Sequence, residues 1–265
     1  MNDDIPAPAV DPDEYDEDYY LNCCGGFEAF TPSGGAKFAG MYPGALAKAG
    51  FKAGETVVDI GTGRGELLAV AVQQGAARAV GVEYAEAAVK LARSTIELHG
   101  VGERAEVILA DARSVPIEDD FADLATMLDV VEHLTDAELA RSLAEVKRLL
   151  RPGGRLFIHT FPTRTIYDVT YRGLRMLSRR RRRQWPADPR NDYEHRMHVN
   201  EQTRASLRRH LDQAGFDPVD VVLGGWIYTD FIPDERAKRV YHWLAKSRLT
   251  APLGVSNLFA TAVKP

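Results

Sequence analysis

Asp129, Glu132 and His133 stand at positions i, i+3 and i+4 of one short stretch, and on a helical turn such positions share a face. Two carboxylates and one imidazole pointing the same way form a donor set for a divalent cation, whether Mg²⁺, Mn²⁺, Co²⁺ or Zn²⁺. A further imidazole, His198, precedes the helix start expected at Thr203 and offers a fourth ligand. A bound cation lowers the pKa of a coordinated hydroxyl. Without a cation, the same imidazoles are candidate general bases. The catalytic candidates are therefore His133 and His198, and the metal candidates Asp129, Glu132, His133 and His198. His195 is a reserve ligand or base. His159, inside an expected strand, reads as a satisfied core residue. His99, His210 and His242 have no special context.

The elements that must position these groups follow from periodicity. Residues 57–67 read Val-Val-Asp-Ile-Gly-Thr-Gly-Arg-Gly-Glu-Leu. This is an apolar β-branched strand, a tight turn with Gly61, Gly63 and Gly65, and a helix with Leu68, Ala71 and Val72 on one face. Glycines suit a turn where the backbone approaches a ligand. Further strands are expected at Arg78–Glu83, Ala105–Ala110, Phe121–Leu128 and Arg155–Thr160. Before the last of these, a helix capped by Thr135 with Glu138 buries Leu139, Leu143, Val146 and Leu150. Arg151-Pro-Gly-Gly154 stops it. Leu207, Leu211 and Ala214 face inward on the helix after Thr203, which Gly215 ends. Val219–Leu223 and Asn257–Val263 complete the sheet.

The G-x-G-x-G spacing after Asp59 resembles motif I of class I S-adenosylmethionine-dependent methyltransferases. The later landmarks fall in the same order, and Leu149-Leu-Arg-Pro-Gly-Gly-Arg-Leu-Phe-Ile158 is similar to a post-motif of that family. The likeness is close over residues 50–162 and looser over the last two strands. It implies an α/β fold: a Rossmann-like, seven-stranded, doubly wound sheet with an antiparallel last hairpin. It also implies S-adenosylmethionine as cofactor, bound by Asp59, Gly61, Thr62, Gly63, Gly65, Glu83, Tyr84, Asp111, Ala112 and Asp129. Glu83 would take the ribose and Asp111-Ala112 would meet the adenine. In such enzymes an N-terminal helix often closes over the cofactor, which makes Tyr19 and especially Tyr20 cofactor neighbours; packing on the core is the competing role for that helix.

The acid-x-x-Glu-His layout also resembles two metal-dependent groups, the small-RNA terminal 2′-O-methyltransferases and the ubiquinone-pathway O-methyltransferases. Here the first acid is Asp129 rather than Glu, with a shorter reach. The same Asp-Val-Val-Glu-His run also occurs in methyltransferases without a metal, where the aspartate lines the cofactor and the histidine packs or acts as a base. Both readings stay open at this level.

The chain has 265 residues, 45% hydrophobic and 27% charged, which is ordinary for a globular protein. It contains no apolar run long enough for a membrane span, and its acidic, proline-containing start is unlike a signal peptide. The only cysteines, Cys23 and Cys24, are adjacent, so reduced thiols, small buried side chains and a cytoplasmic location are expected. Residues 1–20 carry eight acids and no Lys or Arg. The expected organisation is a disordered acidic tail over 1–14 and one domain over 15–265. Its cap comes from insertions after strands five and six, at 163–200 and 225–255.

The first insertion holds ten arginines against four acids, including the run Arg179–Arg183, so a solvated surface or an anionic partner are both open. Ile166, Val169, Gly173, Leu174 and Leu177 form its expected apolar helical face. In the second insertion, Trp226, Tyr228 and Trp243 suit either a pocket wall or core and dimer packing. These features point to an O-methyltransferase acting on a hydroxylated small molecule such as a natural product or glycoside; an anionic acceptor and a homodimer are both left open by the arginines and the aromatics. Metal-free N-, C- or phenol methylation is the nearest alternative, followed by ribose 2′-O-methylation of small RNA. A net charge of −5 and no visible RNA-binding module speak against nucleic acid. A dinucleotide oxidoreductase would need the longer G-x-G-x-x-G spacing. A non-enzymatic cofactor sensor would have no use for the polar groups of the cap.

Overall fold

Val57, Val58 and Ile60 are β-branched and apolar, and in the computed structural model they lie in strand β1 (Thr56–Ile60). The structure describes residues 5–177, 185–224, 232, 234–246 and 249–265. The sheet continues with β2 (Arg78–Glu83), β3 (Ala105–Leu109), β4 (Ala122–Leu128), β5 (Leu150–Thr160), β6 (Val219–Gly224) and β7 (Asn257–Val263). Its seven strands are ordered β3-β2-β1-β4-β5-β7-β6. The first five are parallel to one another, and β7 runs antiparallel between β5 and β6. This is the Rossmann-like plan with the antiparallel last hairpin. Strand β5 starts at Leu150 rather than Arg155, because Leu150 already pairs with Ala122 and a register shift between Ala122 and Leu124 absorbs the intervening turn.

Helices α1 (Glu17–Asn22), α2 (Phe27–Phe30) and α3 (Met41–Lys48) precede the sheet. Helices α4 (Glu66–Gln73), α5 (Glu86–Leu98) and α6 (Asp136–Leu149) lie among its parallel strands. After β5 come α7 (Arg172–Leu177), α8 (Asp192–Met197) and α9 (Arg204–Gln213), and between β6 and β7 lie α10 (Glu235–Lys246) and α11 (Ala251–Gly254). Successive strand residues face opposite sides. Val58 and Ile60 join Leu139, Leu143 and Leu211 in one core, whereas Val57 joins Leu46, Leu68 and Ile96 in the other. Thr135 and Glu138 make a reciprocal capping box at the start of α6. Strands β1, β2 and β4 end on one edge of the sheet, so the glycine turn, Glu83 and the 129–133 stretch converge there.

Four expectations change. First, residues 5–14 are docked chain rather than a disordered tail: Val10 is buried, and the Ala9 N–H donates to Glu138 Oε1 at 2.9 Å. Second, the cap begins with a π-helix over Ile166–Tyr171, whose wider turn rotates the buried face to Ile166, Tyr167, Thr170 and Tyr171. Val169 is thereby exposed. Third, Cys23 is exposed rather than buried. Fourth, Trp243 is exposed, while Trp226 and Tyr228, like Arg179–Arg183, lie outside the described residues. No helix among the described residues is long and apolar enough to cross a membrane.

Candidate active site

Strand β1 delivers Asp59 and the glycine turn to the sheet edge. Gly61 and Gly65 have φ of 69° and 77°, in the region that favours glycine. A side chain on Gly61 would sit 2.5 Å from Val130 Cγ2, and one on Gly65 would sit 3.0 Å from Ala92 Cα. The turn is thus pressed against both the 129–133 stretch and α5. A pocket opens over it, lined by Asp59, Gly61, Thr62, Gly63, Glu83, Tyr84, Asp111, Ala112, Asp129 and Tyr20. Of the cofactor-site candidates only Gly65 is absent from this lining, since it packs on α5 instead.

The acids of the pocket are held in different ways. Glu83 is buried and accepts from the backbone N–H groups of Gly63 at 3.0 Å, Tyr84 at 2.8 Å and Ala85 at 3.0 Å. It therefore shapes the glycine turn besides facing the pocket. Asp111 is forked by Arg113, with Nη2 to Oδ2 at 2.6 Å, and this ion pair holds its carboxyl below the usual range against burial. Asp59 is 3% exposed, and Thr126 Oγ1 donates to its Oδ1 at 2.5 Å. Burial pushes its pKa up to about 6, with the Thr126 hydrogen bond opposing.

A raised carboxyl pKa makes folding favour the protonated form. That contribution is complete below the unfolded value near 3.8 and is lost as pH rises through about 6. Asp59→Asn, neutral at every pH, is therefore expected to raise the stability of the cofactor-free protein at pH 7.5 by about 2–3 kcal/mol. It is also expected to weaken S-adenosylhomocysteine binding. Urea unfolding at pH 5 and 7.5, with calorimetry, checks both; a variant less stable than wild type at both pH values would refute the burial argument.

Residues near the start of the chain close the pocket, and sequence reasoning missed what holds them. Arg64, in the middle of the glycine turn, is 1% exposed. Its Nη1 donates to the carbonyls of Tyr20 and Cys24, its Nη2 donates to that of Gly25 at 2.6 Å, and it pairs with Glu66 at 2.9 Å. Its guanidinium also lies over the Phe30 ring. The other end of the segment is tied at Glu138 and by Arg196 to Glu14 at 3.0 Å. Tyr15, Tyr19, Tyr20 and Cys24 form the inner wall of this cover. The one available signal was an arginine inside a turn otherwise built of small residues.

The catalytic candidates divide. Glu132, His133 and His198 each offer a ligand atom within 4.8 Å of the others. Asp129 is not among them. The expected helical turn is a 3₁₀ turn over Val131–His133, and Asp129 before it has a left-handed φ of 54°, so the i, i+3, i+4 geometry fails at its first member. Its carboxylate pairs instead with His159 Nδ1 at 2.8 Å. His159 is thus more than a core residue, since its Nε2 is also 2.8 Å from Asn257 Oδ1. Burial works to lower its pKa, but the Asp129 charge and both hydrogen bonds lift it to about 9, so the ring is an imidazolium at neutral pH.

In the remaining cluster Glu132 is 1% exposed, and Thr160 Oγ1 donates to its Oε2 at 2.9 Å. Its Oε1 and the Nδ1 of His198 are buried with no hydrogen-bond partner. His133 Nδ1 lies 3.2 Å from the Met197 carbonyl, which fixes the proton there and leaves Nε2 as a lone pair. Burial lowers the His133 pKa to about 3, aided by His198, and burial lowers that of His198 to about 4. Burial, with Asp129 adding, raises that of Glu132 to about 8. Two neutral imidazoles and a carboxyl group, with Glu132 Oε1 and His198 Nδ1 buried and unsatisfied, fit a divalent cation, whose charge would hold the carboxyl ionised. His195, the reserve ligand, is exposed on α8 and outside this group.

The family described as "Methyltransferase domain" matches residues 40–221. The ubiquinone/menaquinone biosynthesis C-methyltransferase UbiE of Cupriavidus taiwanensis is 30% identical over 183 residues, 66% of this chain and 72% of that protein. The enzyme of the same name from Hahella chejuensis is 30% identical over 128 residues, 47% of this chain; the match spans about half (51%) of that relative's length. Among solved structures, geranyl diphosphate C-methyltransferase from Streptomyces coelicolor, in complex with Mg²⁺, geranyl diphosphate and S-adenosyl-L-homocysteine, superposes with a TM-score of 0.59. It is 16% identical, covering 85% of this chain and 78% of that one, and so supports the fold alone.

Proposed function

The chain belongs to the class I S-adenosylmethionine-dependent methyltransferases, and from that premise we propose that it methylates a hydroxyl oxygen of a small molecule with the help of a divalent cation. The observation that carries this reading is the convergence of Glu132, His133 and His198 beside the cofactor pocket. Methyl transfer from a sulfonium is an in-line displacement whose main needs are positioning and a competent nucleophile. An aliphatic hydroxyl is a poor nucleophile until it loses its proton. Burial holds both imidazoles neutral and makes them weak bases for that proton. The same neutral imidazoles are well suited as ligands. A cation held by Glu132, His133 and His198 would polarise the hydroxyl and lower its pKa.

The chain's own residues supply the rest. The backbone of Gly61 and Gly63 and the carboxylates of Asp59 and Glu83 hold the cofactor. Thr160 and the Met197 carbonyl fix Glu132 and His133. The cover formed by Tyr15, Tyr19 and Tyr20 keeps water from the sulfonium. A second reading, metal-free methylation of a carbon, is favoured by the C-methyltransferase activity named for the UbiE relatives.

Calorimetry of Mn²⁺ binding to the protein saturated with S-adenosylhomocysteine tests the choice without an acceptor. Stoichiometric binding, reversed by EDTA, is expected. Chelation is likewise expected to silence turnover and added metal to restore it. Turnover that survives EDTA, with no Mn²⁺ bound, would leave the carbon-directed reading.

A further inference from the structure

Beyond His198 lies a second cavity of about 340 Å³, between the π-helix, α8 and the segment that follows α8. His133 lines the cofactor pocket and His198 lines this cavity, and their rings are 4.9 Å apart. The Glu132–His133–His198 cluster therefore stands between the two cavities. We infer that the second cavity receives an uncharged, hydroxyl-rich part of the acceptor, such as a sugar ring, and presents one of its hydroxyls at His198. This rests on the hydroxyl-methylation reading above and names its substrate class.

The wall chemistry carries the inference. Besides His198, its polar members are Arg164, Asp168, Arg190, Glu194, His195, Asn200 and Glu201. Both guanidiniums are already neutralised. Arg190 pairs with Glu201 at 2.6 Å and with Asp188 at 2.9 Å, and Arg164 pairs with Asp168 at 3.0 Å. A phosphate or carboxylate would meet Asp168, Glu194 and Glu201 without, among the described residues, an unpaired guanidinium in the wall. A flat apolar ring fares no better. Among the described residues, Val199 is the only apolar side chain of the wall, and the nearby Tyr167 ring is covered by the Arg190 guanidinium at 4.5 Å. Sugar hydroxyls both donate and accept, so they can share paired carboxylates and guanidiniums without breaking the pairs.

Saturation-transfer NMR on the protein loaded with S-adenosylhomocysteine tests this with three probes: methyl β-D-glucopyranoside, glucose 6-phosphate and hydroquinone, each at millimolar concentration. Transfer to the glycoside alone is expected. Val199→Trp, which fills the cavity from an exposed position, is expected to abolish that signal and leave S-adenosylhomocysteine affinity unchanged. Preference for the phosphate or hydroquinone, no transfer to any probe, or a glycoside signal that survives Val199→Trp overturns the inference. The outcomes separate from the metal reading. Glycoside binding without Mn²⁺ binding removes the cation and keeps the cavity, whereas Mn²⁺ binding with hydroquinone in the cavity does the reverse.

Discussion

Alanine at His133 or at His198 is expected to abolish turnover and to weaken Mn²⁺ binding beyond measurement, while the protein still binds S-adenosylhomocysteine. On the cation reading proposed above, each change removes a ligand outright. Losing only a supporting hydrogen bond already costs a metal site about 10–100-fold in affinity or activity. Thr160→Val makes that smaller change, since it strips the hydrogen bond from Glu132 Oε2 and keeps the shape. It is expected to fall in the 10–100-fold range. The ordering is what a merely structural cluster would not reproduce. If His133→Ala kills activity in a protein indifferent to EDTA, His133 acts as a base. If both histidine variants turn over normally, the three residues only pack.

A second large effect is expected at Arg64. Its guanidinium and the Glu66 carboxylate are both almost fully buried. Removing one partner strands the other, at a cost of about 3–5 kcal/mol. Arg64→Ala also releases the Tyr20, Cys24 and Gly25 carbonyls together, so the loss has a location. Hydrogen exchange by mass spectrometry is expected to show residues 5–25 unprotected and the sheet still protected, with weakened S-adenosylhomocysteine binding. Lysine is not expected to rescue, because one ammonium cannot reproduce the fork. Unchanged exchange over residues 5–25 would show that the cover is held by its tyrosines instead.

The parts legible in the sequence were those fixed by local rules. Glycines between a β-branched strand and a helix specify their own turn, and the acid at Glu83 follows from the repeat of strand and helix. The Thr135–Glu138 cap is a pairing over three residues. What stayed hidden depends on neighbours distant in sequence. Asp129 looked like a ligand because a helical turn was assumed. Its left-handed φ is sustained by a backbone bond to the His159 carbonyl and an ion pair to the His159 ring. Residues 5–14 have the composition of a disordered tail, and their docking partners lie far along the chain: Ala85, Ala88 and Met197 share a buried cluster with Val10, and Glu138, Tyr84 and Arg196 supply polar contacts. The π-helix in the cap shifts the buried face away from Val169, and apolar spacing counted at the ordinary helical period could not foresee it.

The position of β7 bears on how the molecule is made. Strand β6 reaches the rest of the sheet only through β7, which emerges from the ribosome later and must slot between two strands already synthesised. Until then β6 has no strand partner and β5 keeps an unpaired edge, and closing the loop across the second insertion carries an entropic cost. Asn257, the first residue of β7, is also the residue that holds the far side of His159. A nascent chain that has not yet inserted β7 therefore lacks the pairing that orients Asp129 at the mouth of the cofactor pocket. Assembly of the sheet and arming of the site are one event, so a partly built chain is not expected to be a partly active one.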